Sequence, residues 1–148
     1  MQALLQRVSH SSVAIDGAVV GSIDSGLLVL LCAERGDTED VARRLVEKIA
    51  KLRVFEDAAG KMNLSVQDIS GALLIVSQFT LAADTSKGNR PSFIGAALPE
   101  DGRRLYDVFV GLARQTGLTV QTGVFAANMQ VSLVNDGPVT IGLAIRNP

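Results

Sequence analysis

The longest run of apolar residues in this chain has only seven members, and that limit decides much of what the chain can form. The run extends from Leu27 to Ala33 and directly follows Gly26. A helix that crosses a membrane needs about 20 consecutive apolar residues, so we expect no membrane span. A short run of this kind is typical of a β-strand buried on both faces. The segment Ala72–Val76 has the same character and predicts a second buried strand.

Strand and helix signals alternate through the rest of the chain. Asp16-Gly17, between two apolar segments, is a strong two-residue hairpin signal. Apolar residues at helical spacing predict a first helix after Asp37-Thr38, because either residue can cap it. Pro99 at the start and Gly117 as a C-terminal stop delimit a second helix. The segment Asn135-Asp136-Gly137-Pro138 is predicted to be a turn that joins the last two strands.

These signals predict one domain that spans residues 1–148, since the chain has the length of a single average domain. Many strands and two helices, without repeats or linkers, indicate an α+β fold. We therefore expect a single compact domain with mixed or antiparallel, barrel-like β-sheets and two main helices.

Charge and the rare reactive residues exclude several classes of function. The chain has 15 acidic and 14 basic side chains, so a broad basic face for nucleic acid is not expected, although a partner could be gripped locally. The single cysteine, Cys32, and the single histidine, His10, exclude a disulfide framework and a Cys- or His-rich metal site. We expect a cytoplasmic protein with no metal, no cofactor, no protein cofactor and no membrane partner.

The pattern alone leaves the chemistry open. His10 and Ser12 would share a strand face about 6.6 Å apart along it, which is too far for direct proton transfer. Ser77-Gln78-Phe79-Thr80 places hydroxyl, amide and aromatic groups directly after a buried strand, where functional groups often lie. A strand that simply ends in polar residues, with Phe79 in the core, explains the same segment. The pattern of Asn135-Asp136-Gly137-Pro138 is likewise typical of an ordinary turn.

Taken together, several ordered segments resemble the D-aminoacyl-tRNA deacylases over about residues 2–143. Several motifs in the correct order are far more specific than any one of them alone. The segments are Gln6-Arg7-Val8, Gly26–Leu31, Gly60-Lys61-Met62-Asn63-Leu64, Ser77-Gln78-Phe79-Thr80-Leu81, Asn89-Arg90-Pro91-Ser92-Phe93, Asn128–Val134 and Asn135-Asp136-Gly137-Pro138-Val139-Thr140.

The resemblance implies a proofreading hydrolase that acts on the tRNA 3′ acceptor end. Its substrate would be the ester of a D-amino acid, or of glycine mischarged on alanine tRNA. The enzyme would be a homodimer in which Gly137-Pro138 forms a cis peptide and enters the partner subunit's site. There, backbone carbonyls would hold the substrate's amino group and reject L-amino acids.

The resemblance also implies roles for individual side chains. The residues that would line the hydrolytic pocket are Ser77, Gln78, Phe79 and Thr80, together with Phe125 and Met129. Arg7 would brace the glycine–proline loop.

Two mechanisms remain open, and so do two interpretations of the residues that could contact the tRNA. The hydroxyl beside the ester on the terminal ribose can assist water, with backbone N–H groups near Phe79 and Thr80 stabilising the oxyanion. Thr80 could instead attack directly, although an alcohol is a weak nucleophile without a base. Lys87 and Arg90 are candidate phosphate contacts or ordinary solvated charges. Competing functions are a non-catalytic nucleic-acid-binding module and a structural dimer.

Overall fold

The structure, a computed structural model, describes all 148 residues and contains eight strands, two α-helices and one short 3₁₀ helix. The strands are β1 (Gln2–Ile15), β2 (Ala18–Ile23), β3 (Gly26–Cys32), β4 (Phe55–Glu56), β5 (Met62–Leu64), β6 (Ala72–Ser77), β7 (Thr119–Thr122) and β8 (Gln130–Ala144). The helices are α1 (Glu39–Lys51), the 3₁₀ helix (Phe79–Ala82) and α2 (Pro99–Gln115).

Both predicted helices form, with the predicted ends. The Thr38 side chain caps α1 by accepting a hydrogen bond from the backbone N–H of Val41, at 3.4 Å. Pro99 begins α2, where its missing N–H costs nothing, and the helix stops two residues before Gly117. Neither helix combines the length and the hydrophobicity that a membrane crossing requires.

The main sheet curls into a nearly closed barrel, which confirms the predicted fold class. Its strand order is β2-β1-β3-β6-β7, with β8 paired along the other edge of β1. The β3–β6 and β6–β7 pairs are parallel and the others antiparallel, so the sheet is mixed. Gly21 of β2 lets β7 approach, because a Cβ there would lie 2.5 Å from the carbonyl oxygen of Thr122.

Strands β3 and β6 are buried on both faces, as their continuous apolar sequences predict. Leu27, Val29 and Leu31 face the larger core, which α1 and α2 cover. Leu28 faces the smaller core inside the barrel, together with Leu74 of β6. This double burial fixes the carboxyl ends of both strands at one edge of the barrel.

The predicted turn at residues 135–138 is wrong. Residues on both sides of it belong to one strand, β8, which pairs antiparallel with β1 along nearly its whole length. Gln6 pairs with Thr140 and Val8 pairs with Asn135, so four residues of β8 stand opposite Arg7 alone. These residues, 136–139, form a wide bulge; the chain direction does not reverse, because β1 is long enough to pair both halves of β8.

The amino terminus packs against the end of β3. The Met1 ammonium donates to a carboxylate oxygen of Glu34 at 3.1 Å and of Asp37 at 2.9 Å, and to the carbonyl of Ile145 at 2.7 Å. Burial favours the neutral acid, but hydrogen bonds from Gln2 and the ammonium hold the pKa of Glu34 below its usual value. The Met1 side chain is fully buried.

The contact between β3 and β6 generates a stability prediction. A Cβ on Gly26 would lie 1.9 Å from the carbonyl oxygen of Ala72, a backbone atom that cannot move without disturbing the strand pairing. We expect Gly26→Ala to lower the free energy of unfolding by about 1–3 kcal/mol or more, as overpacking does. Gly111→Ala, inside α2 with nothing within 4 Å, should raise it by about 0.5–1 kcal/mol.

Urea unfolding of the two variants beside the parent chain measures both effects. A Gly26→Ala chain as stable as the parent would contradict the close packing of β3 on β6.

Candidate active site

A mostly apolar pocket of about 620 Å³ opens where β3 and β6 end. Leu31 and Val76 lie at its base, at the carboxyl ends of these two parallel strands. The amino-terminal part of α2 forms one wall through Gly102 and Tyr106, and the segment after β7 forms another. Strand ends of this kind are the usual location of binding groups, so the pocket is the best candidate for the site.

The polar segment after β6 borders this pocket. The backbone N–H of Gln78 donates to the carbonyl of Leu31 at 2.8 Å, which continues the pairing with β3 beyond the strand end. Ser77, Gln78 and Phe79 all line the pocket. The Phe79 side chain is 57% exposed and meets Phe93 edge to face, with ring centroids 5.1 Å apart. Phe79 is therefore not a core residue, and the interpretation that places its side chain in the core is wrong.

Thr80 lies apart from the other three signature residues. Its side chain is exposed and does not line the pocket. Its hydroxyl oxygen accepts a hydrogen bond from the side-chain amide of Gln78. An amide cannot take up the hydroxyl proton as a general base, so this contact holds the two side chains together without activating Thr80.

Two pocket residues with acidic hydrogens remain neutral at physiological pH. Burial, reinforced by the charge of Glu34, raises the pKa of the Cys32 thiol to about 11. Burial also raises the pKa of Tyr106 to about 12, and its hydroxyl donates to the carbonyl of Ile75 at 2.7 Å. Because a thiolate is the reactive form of cysteine, Cys32 is a poor nucleophile here.

The segment after β7 contributes the last two of the lining side chains that the resemblance implied. Phe125 and Met129 line the pocket. The Phe125 ring lies 5.9 Å from that of Tyr106, at a tilt of 49°. The Arg103 guanidinium lies over the ring of Phe125, 4.8 Å from its centroid.

The glycine–proline segment lies on the bulge of β8. The Gly137–Pro138 peptide bond is cis, both residues are exposed, and neither lines the pocket of its own chain. Arg7 is 6% exposed and holds the bulge from below. Its Nε donates to the carbonyl of Asp136 at 3.0 Å and one terminal nitrogen donates to the carbonyl of Val54 at 2.8 Å.

The chain brings no three His, Cys, Asp or Glu side chains together in an arrangement that could hold a metal ion. His10 is exposed, with its Nδ1 3.7 Å from a carboxylate oxygen of Asp24, and it does not line the pocket. No acidic side chain lines the pocket either.

Several pocket residues were not predicted from the sequence. Arg35 follows β3, whereas Leu98, Gly102 and Tyr106 belong to the start and first half of α2, and only the packing of α2 on the barrel brings the two segments together. One signal in the sequence does indicate this part of the pocket: residues 82–98 form a long connection without a clean period, which is often functional, and this connection contributes Phe93.

The fold and the pocket define a class: a small mixed β-barrel with a mostly apolar pocket at the carboxyl ends of two parallel strands. Comparison with known proteins identifies the family within that class. The model of the D-Tyr-tRNA(Tyr) deacylase family matches residues 4–144. The D-aminoacyl-tRNA deacylase of Paracidovorax citrulli is 65% identical over 148 residues, covering 100% of this chain and 96% of its own. That of Ruegeria sp. strain TM1040 is 64% identical, covering 97% and 92%.

Solved structures show the same fold. A structure titled c-Myc DNA Unwinding Element Binding Protein superposes with a TM-score of 0.94 at 41% identity, covering 99% of this chain and 100% of its own. A probable eukaryotic D-amino acid tRNA deacylase shares the fold, with a TM-score of 0.83 at 17% identity over 96% and 97% of the chains. This chain belongs to the D-aminoacyl-tRNA deacylase family.

Proposed function

We propose that this protein hydrolyses the ester bond of D-aminoacyl-tRNA, releases the free D-amino acid and tRNA, and spares the L-aminoacyl form. The observation that carries the proposal is family membership over residues 4–144, combined with a pocket that Ser77, Gln78 and Phe79 border. The pocket's apolar character suits an amino-acid side chain and an adenine base better than a charged metabolite.

In this mechanism the substrate, and not a side chain of the pocket, supplies the group that assists proton transfer. Water attacks the ester carbonyl carbon, the bond to the ribose oxygen breaks, and the proton of the water passes to that oxygen. The neighbouring ribose hydroxyl orients the water and supports the proton transfer, because no His, Asp or Glu lines the pocket to do so. The backbone N–H of Phe79, which lines the pocket and begins the 3₁₀ helix, has no carbonyl partner within the turn and is free to stabilise the oxyanion.

Direct attack by Thr80 is the alternative mechanism, and three observations disfavour it. The side chain is exposed, it lies outside the pocket lining, and its hydroxyl is already bonded to the Gln78 amide. In our mechanism Thr80 fixes the orientation of Gln78, and Gln78 with Ser77 positions the substrate.

The working enzyme in this proposal is a homodimer. Gly137 and Pro138 are exposed and lie outside their own pocket, so they are available to a second subunit. Two apolar residues of the connection that contributes to the pocket are also exposed, Leu98 of the lining at 57% and Ile94 at 73%. Exposed apolar groups next to a pocket are typical of a surface that another chain covers.

Chirality is selected by the backbone of the partner's glycine–proline segment. Its carbonyls accept hydrogen bonds from the substrate's amino group and leave no space for an L-side chain. A fixed backbone is a better discriminator than a movable side chain, and the hydrogen bonds from Arg7 to Asp136 and Val54 hold the segment in place. Glycine has no side chain to reject, so glycine mischarged on alanine tRNA is also a substrate.

The tRNA is gripped at its acceptor end, which agrees with a formal net charge of −1. Lys87 and Arg90 are exposed on the connection next to Phe93 and have no carboxylate within 4.0 Å. Both are therefore available as phosphate contacts.

A second candidate function is DNA binding without catalysis. The name of the structure that superposes with a TM-score of 0.94 favours it, since that protein is titled as a DNA-unwinding-element binder. Duplex binding would weaken steeply with salt, in proportion to the number of phosphates contacted. A salt titration against duplex DNA, run beside the deacylation assay, separates the two functions.

The central prediction is enantioselective hydrolysis. We expect D-tyrosyl-tRNA to lose its amino acid in the presence of the protein, while L-tyrosyl-tRNA stays intact because the partner's carbonyls exclude its side chain. Release of labelled tyrosine, followed with and without chelator, measures both selectivity and any metal requirement. Equal hydrolysis of the two enantiomers would contradict the chiral role of the pocket.

The mechanism predicts unequal effects of removing two hydroxyl groups. Thr80→Ala should lower kcat by about tenfold or less, because the Thr80 hydroxyl only orients Gln78. D-tyrosyl-tRNA that ends in 2′-deoxyadenosine should react about 100-fold or more slowly, the usual size of an acid–base contribution. Single-turnover rates of both reactions test this order. A covalent tyrosyl ester trapped on Thr80 would contradict it.

The cross-subunit arrangement predicts complementation between two inactive chains. Gly137 has a φ of +136°, and a Cβ there would lie 2.8 Å from the Val139 side chain and 3.1 Å from an Arg7 nitrogen. We expect Gly137→Ala to displace the segment and abolish most D-specific activity, while Gly111→Ala retains it. Gln78→Ala should be inactive for lack of substrate positioning.

Co-expression of Gly137→Ala and Gln78→Ala chains with different tags allows the heterodimers to be purified. Each heterodimer should regain one working site, because the intact pocket of one chain meets the intact loop of the other. Heterodimers without activity would place the loop and the pocket in the same subunit.

A further inference from the structure

One arginine lines the pocket and a second covers one of the lining residues, and the two come from different elements of the fold. Arg35 follows the carboxyl end of β3 and lines the pocket directly. Arg103 lies near the start of α2, next to Gly102, and its guanidinium covers the ring of Phe125, which lines the pocket. Both side chains are exposed, so an occupant of the pocket mouth can reach them.

Neither arginine has an acidic partner. No carboxylate lies within 4.0 Å of Arg35 or Arg103, whereas the next residue on the helix, Arg104, is paired with Glu39 at 3.2 Å and Asp101 at 3.9 Å. No Asp or Glu lines the pocket. The mouth therefore carries positive charge that the chain itself does not neutralise.

Each guanidinium group is fixed by one contact that leaves its terminal nitrogens without a hydrogen bond to the chain. The Nε of Arg35 donates to the carbonyl of Ile94 at 2.5 Å, and its terminal nitrogens make no hydrogen bond to the chain. Arg103 makes no hydrogen bond to the chain and is held by its cation–π contact with Phe125, 4.8 Å from the ring centroid. A guanidinium fixed in this way offers two N–H groups to a phosphate and loses little further freedom on binding.

We propose that Arg35 and Arg103 form a phosphate-binding subsite at the pocket mouth, which holds the phosphodiester backbone of the RNA strand that enters the pocket. The inference rests on the proposed function, because the strand is the 3′ end of the charged tRNA. Phe79, the exposed ring at the same mouth, offers a stacking surface to a base, and the arginines take the phosphates beside it.

The test compares two substrates that differ in their phosphates. One is D-tyrosyl-tRNA and the other is D-tyrosyl-adenosine, the same ester without any phosphodiester. For each of Arg35→Ala and Arg103→Ala we expect KM for the tRNA to rise about 5- to 20-fold, with little change in kcat. The rate with D-tyrosyl-adenosine should not change. The slope of log kcat/KM against log salt should become shallower by about 0.7 per arginine removed.

Arg104→Ala is the matched control, since it removes an adjacent but neutralised arginine from the same helix and should leave KM unchanged. Unaltered KM for the tRNA in both pocket variants would overturn the subsite. Equal losses with the tRNA and with D-tyrosyl-adenosine would also overturn it, because they would indicate damage to the pocket around Phe125.

Binding of uncharged tRNA, measured by fluorescence titration, gives a readout that does not depend on hydrolysis. If the parent chain hydrolyses neither D-substrate, the proposed function fails. Weaker tRNA binding by Arg35→Ala and Arg103→Ala, but not by Arg104→Ala, supports the phosphate subsite in either case. Equal binding by all four chains overturns it.

Discussion

The pairing of β1 with three other strands is the constraint on which the rest of the structure depends. One edge of this 14-residue strand pairs with β2 and β3 in succession, and its other edge pairs with β8. The pairing with β3 sets where the pocket begins, since β3 continues into Cys32 at its base. The pairing with β8 forces residues 136–139 out of the ladder opposite Arg7. One strand thus fixes the positions of both the pocket and the bulge. Within one subunit the bulge does not reach the pocket.

Sequence reasoning succeeded where the determining interaction is local. The Asp16-Gly17 hairpin and the Thr38 cap depend on residues within a few positions of each other, and both form as predicted. The turn at 135–138 failed for the opposite reason, because Gly-Pro is a local signal whereas the length of β1 is a property of distant residues. The prediction of the pocket walls was incomplete for the same reason, because the walls are formed by residues distant in the sequence. Phe125 and Met129 entered only through a resemblance, and Arg35 and Tyr106 did not enter at all, since their proximity is created by the packing of α2.

The pocket contains groups that shape and orient a ligand, and few that could carry out proton transfer. The Cys32 thiol and the Tyr106 phenol are neutral because burial raises the pKa of each. A site of this kind lowers a barrier mainly by positioning and by fixed dipoles, which need no charged side chain. An activated ester with a hydroxyl beside it is the type of substrate for which this is enough. The chemistry therefore favours an aminoacyl ester over an amide or a phosphate ester, which would need a stronger acid, base or metal.

A chain with nearly balanced charge can still bind a polyanion if its free cations are placed where only one part of that polyanion fits. Five arginines have carboxylate partners, three of them on the helices, and none of the five lines the pocket. A broad basic face would bind duplex and single strands alike, since phosphate contacts carry no sequence information. Cations confined to the mouth of a pocket act only on a strand whose end is already inside it. With the proposed subsite at Arg35 and Arg103, weak overall charge would favour the free 3′ end over the many competing internal segments, because only the end can combine the phosphate contacts with occupancy of the pocket.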